Sequence, residues 1–204
     1  MKLFLIALIS IFMLLCGPPA AAEHEFRLSV VGNFASSLGY NAGLGPQLDS
    51  RHALDKGFFL NTRSNVMLQH KHNAAEGYTY RLYGSLDYDL GDILLIEIGY
   101  KLSGYKSTFD DGRTWVKSAH CPVFGLKKYF GDENNFLVGI YYSLRENSSV
   151  NNVESLSIRN DYVFDNNYFV FSEYTYVWFD QKYLGGIKRM IGDSISVGFG
   201  YVWR

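Results

Sequence analysis

Cysteine and proline are scarce in this 204-residue chain, with two cysteines and four prolines. Cys16 belongs to an apolar N-terminal segment, so Cys121 stands alone in the rest of the chain and no intrachain disulfide can form there. A lone thiol on a strand reads as a small packed residue. Pro18 and Pro19 fall in the same N-terminal segment, which leaves only Pro46 and Pro122 to interrupt regular structure. The formal net charge is −1, so no basic excess points to nucleic acid. Beyond the N-terminus no apolar run reaches the roughly 20 residues a membrane-spanning helix requires, and a helical membrane protein is excluded.

The N-terminal segment has the anatomy of a secretory signal peptide. Met1-Lys2 is a positive start, Leu3 to Cys16 an apolar run, and Ala20-Ala21-Ala22 a small-residue cleavage site. Residues 1–22 are expected to be removed, leaving a single unit from Glu23 to Arg204. The rival, a lipid-modified Cys16, meets Leu15 where such signals carry a small residue.

Aromatic residues are abundant, 17% of the chain, with Tyr and Phe dominant. They recur at every second position. The last stretch, Ser194 to Arg204, is the clearest case: Ile195, Val197, Phe199, Tyr201 and Trp203 alternate with Ser194, Ser196, Gly198, Gly200 and Val202. Tyr78 to Leu90, Leu94 to Ser103, Phe136 to Arg145, Leu156 to Phe164 and Tyr168 to Phe179 repeat the pattern, and Phe26 to Ser36 follows it weakly. Leu38, Tyr40, Ala42 and Leu44 give a short apolar face before Pro46, and Lys182 to Met190 a separate strand. Asp55-Lys56-Gly57, Gly91-Asp92, Gly131 to Asn135, Asp165-Asn166-Asn167 and Ile191 to Asp193 read as turns. Thr114 to Phe130 has no clean face, and Pro122 is expected to mark a bulge there.

This is an array of hairpins whose alternation is inside out. A soluble sandwich or lipocalin-like barrel would also alternate, but its dry core would not hold charge. Here the rows opposite the apolar faces carry Arg63, Arg81, Lys101, Arg145 and Arg159, balanced by Asp87, Asp89, Glu97, Asp161 and Glu173. The expected fold is all-β, an antiparallel up-and-down transmembrane β-barrel with these charges lining the lumen. About eleven segments read as strands, and bacterial single-chain barrels have even numbers, so ten strands are expected, with eight or twelve as alternatives. Orientation conflicts with the turns: a closing strand running toward the periplasm puts the tight turns after Leu54, Leu90, Phe130, Phe164 and Ile191 outside, where short turns do not belong.

The signal peptide, the hairpins and the ending Ser196-x-Gly198-x-x-Tyr201-x-Trp203 resemble small Gram-negative outer-membrane β-barrel proteins. The resemblance implies residence in the bacterial outer membrane and contact with its lipids. It also implies that Ser196, Gly198, Tyr201 and Trp203 form the signal read by the barrel-assembly machinery, although such proteins usually end on the aromatic residue and this one adds Arg204. No motif points to a subfamily.

For function, the balanced inner charges read first as an ion-paired, largely filled lumen with a structural role, and second as a narrow channel for a small solute. An outer-membrane lipid-modifying enzyme is the alternative: Ser118 and His120 share a strand face as a nucleophile and base would, in the order Ser-x-His and without an orienting partner visible in the sequence. A surface adhesin is a third class, disfavoured by short polar loops. His70 and His72 lack a third metal ligand, and no cofactor is expected.

Overall fold

The computed structural model describes residues 24–35, 43–71, 74–91, 94–108, 112–130, 135–147, 152–183 and 186–204. The signal-peptide segment, the Leu38–Tyr40 face and His72 lie outside these residues, as do the side chains of His70 and Arg145. Ten strands are described: β1 His24–Ala35, β2 Gly43–Ala53, β3 Phe58–Lys71, β4 Ala74–Asp89, β5 Leu95–Thr108, β6 Thr114–Phe130, β7 Phe136–Asn147, β8 Asn152–Val163, β9 Tyr168–Tyr183 and β10 Gly186–Trp203. Each pairs antiparallel with its sequence neighbours, and β1 pairs with β10 to close the barrel. The closing register runs from Phe26 opposite Trp203 to Ala35 opposite Ser194.

The count agrees with the expected ten, but two boundaries differ. Lys182 to Met190 is not a separate strand. Lys182 and Tyr183 end β9, and Gly186 to Met190 runs on into the terminal segment as one strand, with Ile191, Gly192 and Asp193 paired to Trp178, Val177 and Tyr176 without interruption. At the other end β2 runs straight through Pro46, which sits opposite Val30.

Removing Ile191 from the turns resolves the orientation. The connections after Ala53, Asp89, Phe130 and Val163 all lie at one end, together with the start of β1 and the end of β10. We call this end proximal. Lys56 and Gly57 turn the first of them with φ of 61° and 77°, and Asn167 the last with φ of 65°. The closing strand runs toward the end that carries the short turns, so the two no longer conflict.

At the distal end the β5–β6 hairpin outruns its neighbour β7 among the described residues. β5 and β6 stay paired out to Thr108 opposite Thr114, whereas the described β6–β7 pairs stop at Val123 opposite Ser143. Pro122 therefore makes no bulge. The β5–β6 register passes it unbroken, and it lies just beyond the last β6–β7 pair, where it owes β7 no ladder bond.

Alternation sorts the side chains by face. Outward positions are apolar: Leu28, Val30, Ile98, Phe124, Ile158, Val197 and Phe199 are all exposed, Ile98 at 59%. Aromatic residues edge this belt. Phe58, Tyr88, Phe130, Phe136, Tyr162, Tyr168, Tyr201 and Trp203 ring the proximal end, with Tyr201 against Trp203 at 5.0 Å and Phe58 against Tyr88 at 4.7 Å. Tyr174, Tyr176 and Trp178 lie toward the distal end of the same belt, the last two at 4.7 Å. Tyr168 and Trp178 are ten positions apart on β9. At roughly 3.3 Å per residue and a tilt of about 40°, that separation is about 25 Å, the height of an apolar band that lies in lipid.

Candidate functional site

The inward rows fill the lumen with rings on glycines and charges on rings. A Cβ at Gly198 would lie 2.2 Å from the Phe171 ring, and one at Gly200 would lie 2.7 Å from Phe169. Tyr83 covers Gly99 and Tyr141 covers Gly139 in the same way. The sequence places glycine where an opposing ring must lie flat against the wall. The rings then carry the cations: the Arg159 guanidinium lies 4.1 Å from the Phe171 centroid, Arg27 5.3 Å from Phe169, and Arg51 3.8 Å from Phe59. Cys121, fully buried, packs with Val123 and Tyr141 as a small core residue.

Two ion-pair clusters occupy the proximal half. Arg159, only 2% exposed, donates through Nε to both oxygens of Asp161 at 2.9 and 3.1 Å. Its Nη2 lies 3.6 Å from Asp49, and its Nη1 3.8 Å from Glu173. Arg63 donates to Asp49 at 2.9 Å and lies 3.8 Å from Glu173. Arg27 pairs with Glu25 at 2.5 Å and with Asp161 at 3.9 Å. Lys127 donates to Asp87 at 2.7 Å and contacts Glu97, which also accepts from the Tyr83 hydroxyl.

Three of these contacts cross the lumen. Arg159 on β8 reaches Asp49 on β2, Arg63 on β3 reaches Glu173 on β9, and Arg51 on β2 donates to the Tyr129 hydroxyl on β6 at 2.7 Å. In the circular strand order each pair of strands is four steps apart, one short of diametrically opposite. The space left between them, a cavity of about 60 Å³ that is partly open to solvent, is bordered by Arg51, Asn61, Arg63, Tyr83, Tyr141 and Arg159. Arg51 Nε, Asp87 Oδ1 and Arg159 Nη1 are buried without hydrogen-bond partners beside it.

Of the residues expected to line the lumen, Arg63, Arg159, Asp161 and Glu173 meet in one cluster, and Asp87 and Glu97 meet at Lys127. Lys101 lies farther out, donating to Ser143 at 3.4 Å, and Arg81 occupies the inward row of β4 opposite Asn65 and Ser103. Asp89 ends β4 at the proximal rim. Glu25, Arg27, Asp49, Arg51 and Lys127 were not anticipated. Extending the parity of Cys121, Val123 and Gly125 by one step would have found Lys127. In β2 the outward row includes Pro46 and Ser50, which break its apolar stripe; in β1 the outward Phe26, Leu28, Val30 and Phe34 are apolar, and the parity opposite them holds Glu25 and Arg27.

Ser196 and Gly198 point inward, whereas Tyr201 and Trp203 belong to the outer proximal belt. Ser118 and His120 both stand exposed on the outer face of β6. His120 Nδ1 is engaged by the Tyr100 hydroxyl from β5, a partner no sequence spacing revealed. Glu154 also lies outside, pairing with Arg189 at 3.3 Å and accepting from Tyr142 at 3.4 Å.

No protein-family model matches the chain, and no curated protein matches it. Its fold is similar to solved outer-membrane β-barrel proteins. The KdgM porin is 14% identical with a TM-score of 0.46, covering 87% of this chain and 99% of its own. Neisserial surface protein A is 15% identical with a TM-score of 0.38, covering 89% and 97%. The attachment invasion locus protein Ail of Yersinia pestis is 10% identical with a TM-score of 0.38, again covering 89% and 97%. The likeness is one of fold: an up-and-down antiparallel barrel with an apolar exterior.

Proposed function

We propose that this chain is an integral β-barrel of the bacterial outer membrane, sealed across its proximal half by ion pairs, with a structural role and not that of an open pore. The observation that carries this reading is the set of cross-lumen contacts Arg159–Asp49, Arg63–Glu173 and Arg51–Tyr129. Opposed charges that span a lumen this narrow leave no wide water-filled path, and separating them would strand buried charge. The apolar belt of about 25 Å supports membrane residence. The short turns support a periplasmic proximal end. Ser196, Gly198, Tyr201 and Trp203 are the residues we assign to recognition by the assembly machinery, after removal of residues 1–22.

The test is conductance of the refolded protein in planar bilayers. The expected trace is silent or shows only rare small events. A steady ohmic open state would overturn the sealed-lumen reading and favour the narrow solute channel.

A lipid-modifying activity is a second reading, favoured by one contact. The Tyr100 hydroxyl engages His120 Nδ1 on the outer face that also carries Ser118, as a partner orients a base. Phospholipid turnover in vesicles tests it. Turnover lost in both His120→Ala and Ser118→Ala would establish it, and turnover absent from the wild type would end it.

A further inference from the structure

Among the described residues the inward carboxylates are confined to the proximal part of the barrel, where cations pair with them, and only cations continue beyond it. Glu25, Asp49, Asp87, Asp89, Glu97 and Asp161 all lie within the proximal third or so of their strands, and Glu173 stands at the boundary. Farther out, the described inward positions carry no carboxylate: Asn33, Asn65, Thr79, Ser143, Ser155 and Thr175 are neutral, whereas Arg81 and Lys101 are cationic.

Among the described residues Glu173 is the carboxylate at the edge of this cationic side; it accepts from the Thr175 hydroxyl at 3.5 Å, and its cations hold it loosely. Its contacts with Arg63 and Arg159 are both 3.8 Å, against 2.9 Å for Arg63–Asp49 and Arg159–Asp161. It also lies in the field of Arg81 and Lys101, so four cations share it. Arg159 Nη1, on a side chain 2% exposed, has no hydrogen-bond partner at this boundary.

We propose that the distal half of the lumen binds a small multivalent oxyanion, a polycarboxylate or a phosphate compound. Arg81 and Lys101 make first contact, and the anion takes over the share of Arg63 and Arg159 that Glu173 holds loosely. Charge-assisted hydrogen bonds to guanidinium groups suit oxyanions of either kind. This rests on the sealed-barrel reading, since it is the sealed floor that turns the distal lumen into a site and not a path.

The test uses the full folded chain in detergent micelles, titrated with citrate and with pyrophosphate at ionic strength matched by sodium chloride. The readout is the shift in thermal unfolding midpoint. We expect a saturable rise beyond the chloride control, apparent affinity about tenfold tighter in Glu173→Gln, and loss of saturation in Arg81→Gln/Lys101→Met. A response to citrate alone assigns the polycarboxylate, and a response to pyrophosphate alone assigns the phosphate compound. No response beyond chloride in a wild type and Glu173→Gln protein that migrate as folded barrels overturns the site. So does unchanged affinity in the double variant. Conductance of the same samples separates the two failures: a silent barrel that binds nothing loses only the site, and a conducting one loses the seal.

Discussion

Asp87 and Glu97 stand directly opposite each other on β4 and β5, two carboxylates in register on one face of the sheet. They are 2% and 1% exposed. Alone they would repel, since like charges directly opposite destabilise a strand pair. Lys127, from the next strand, touches both and makes the pair tolerable.

The Lys127→Met variant is therefore expected to lose about 3–5 kcal/mol of stability, the cost of leaving buried charge without its partner. Urea unfolding in lipid vesicles measures it. The triple variant Lys127→Met/Asp87→Asn/Glu97→Gln is expected to regain most of that loss, because the three residues act as one unit. Additive losses would show that Lys127 is only a space filler.

Arg159 joins Asp161 on its own strand and Glu173, its register partner on β9, to Asp49 across the lumen. Replacing it with alanine removes both the charge and the guanidinium lying on Phe171. The variant is expected to fold with reduced stability and to conduct in planar bilayers where the wild type is silent. Silence from a well-folded Arg159→Ala barrel would move the seal to the Arg51–Tyr129 contact.

Glycine at position 200 has no room for a side chain. A Cβ would fall 2.1 Å from the Leu28 carbonyl oxygen, a backbone atom of β1 that cannot step aside without opening the closing ladder. Gly200→Ala is expected to cost about 3 kcal/mol, the upper end of overpacking penalties, and to reduce the fraction that migrates as a compact barrel on an unheated gel. Gly84→Ala is the control. Its Cβ meets nothing within 4 Å, and the variant is expected to migrate like the parent.

Cys121 is fully buried in the lumen wall. A maleimide reagent is expected to leave it untouched in the folded barrel and to modify it fully in urea, since thiol reactivity follows access. Rapid labelling of the folded protein would place β6 the other way round, with its inner row outside.

Much of the fold was legible because an apolar exterior imposes a period of two on most strands. The rows of β4, β5 and β9 could be read residue by residue, and Arg63, Arg159, Asp161 and Glu173 were placed inward by that alternation alone. The sequence misled at Ile191-Gly192-Asp193, whose composition is that of a turn. The structure keeps these residues in a ladder that rises above the β1–β10 seam, with Asp193 outside accepting from the Tyr174 hydroxyl at 3.4 Å. Arg51 and Lys127 escaped because β2 and β6 mix polar residues into their outer rows. Which charges meet across the lumen was never legible, since strand parity fixes a face and not an opposite wall.

The pairing of the first strand with the last has a consequence for how the molecule is made. Phe26 meets Trp203, and Glu25 meets Arg204 at 3.2 Å across 179 positions of sequence. Hairpins can form locally as soon as their two strands exist, but this join brings together the two extremes of the chain and bears the largest loop-closure entropy in the fold. Until it forms, the sheet is an open ribbon with two hydrogen-bonding margins, and lipid cannot satisfy either of them. Loss of β10 would leave β1 and β9 as permanent margins, so a truncated chain is expected to aggregate instead of forming a smaller ring.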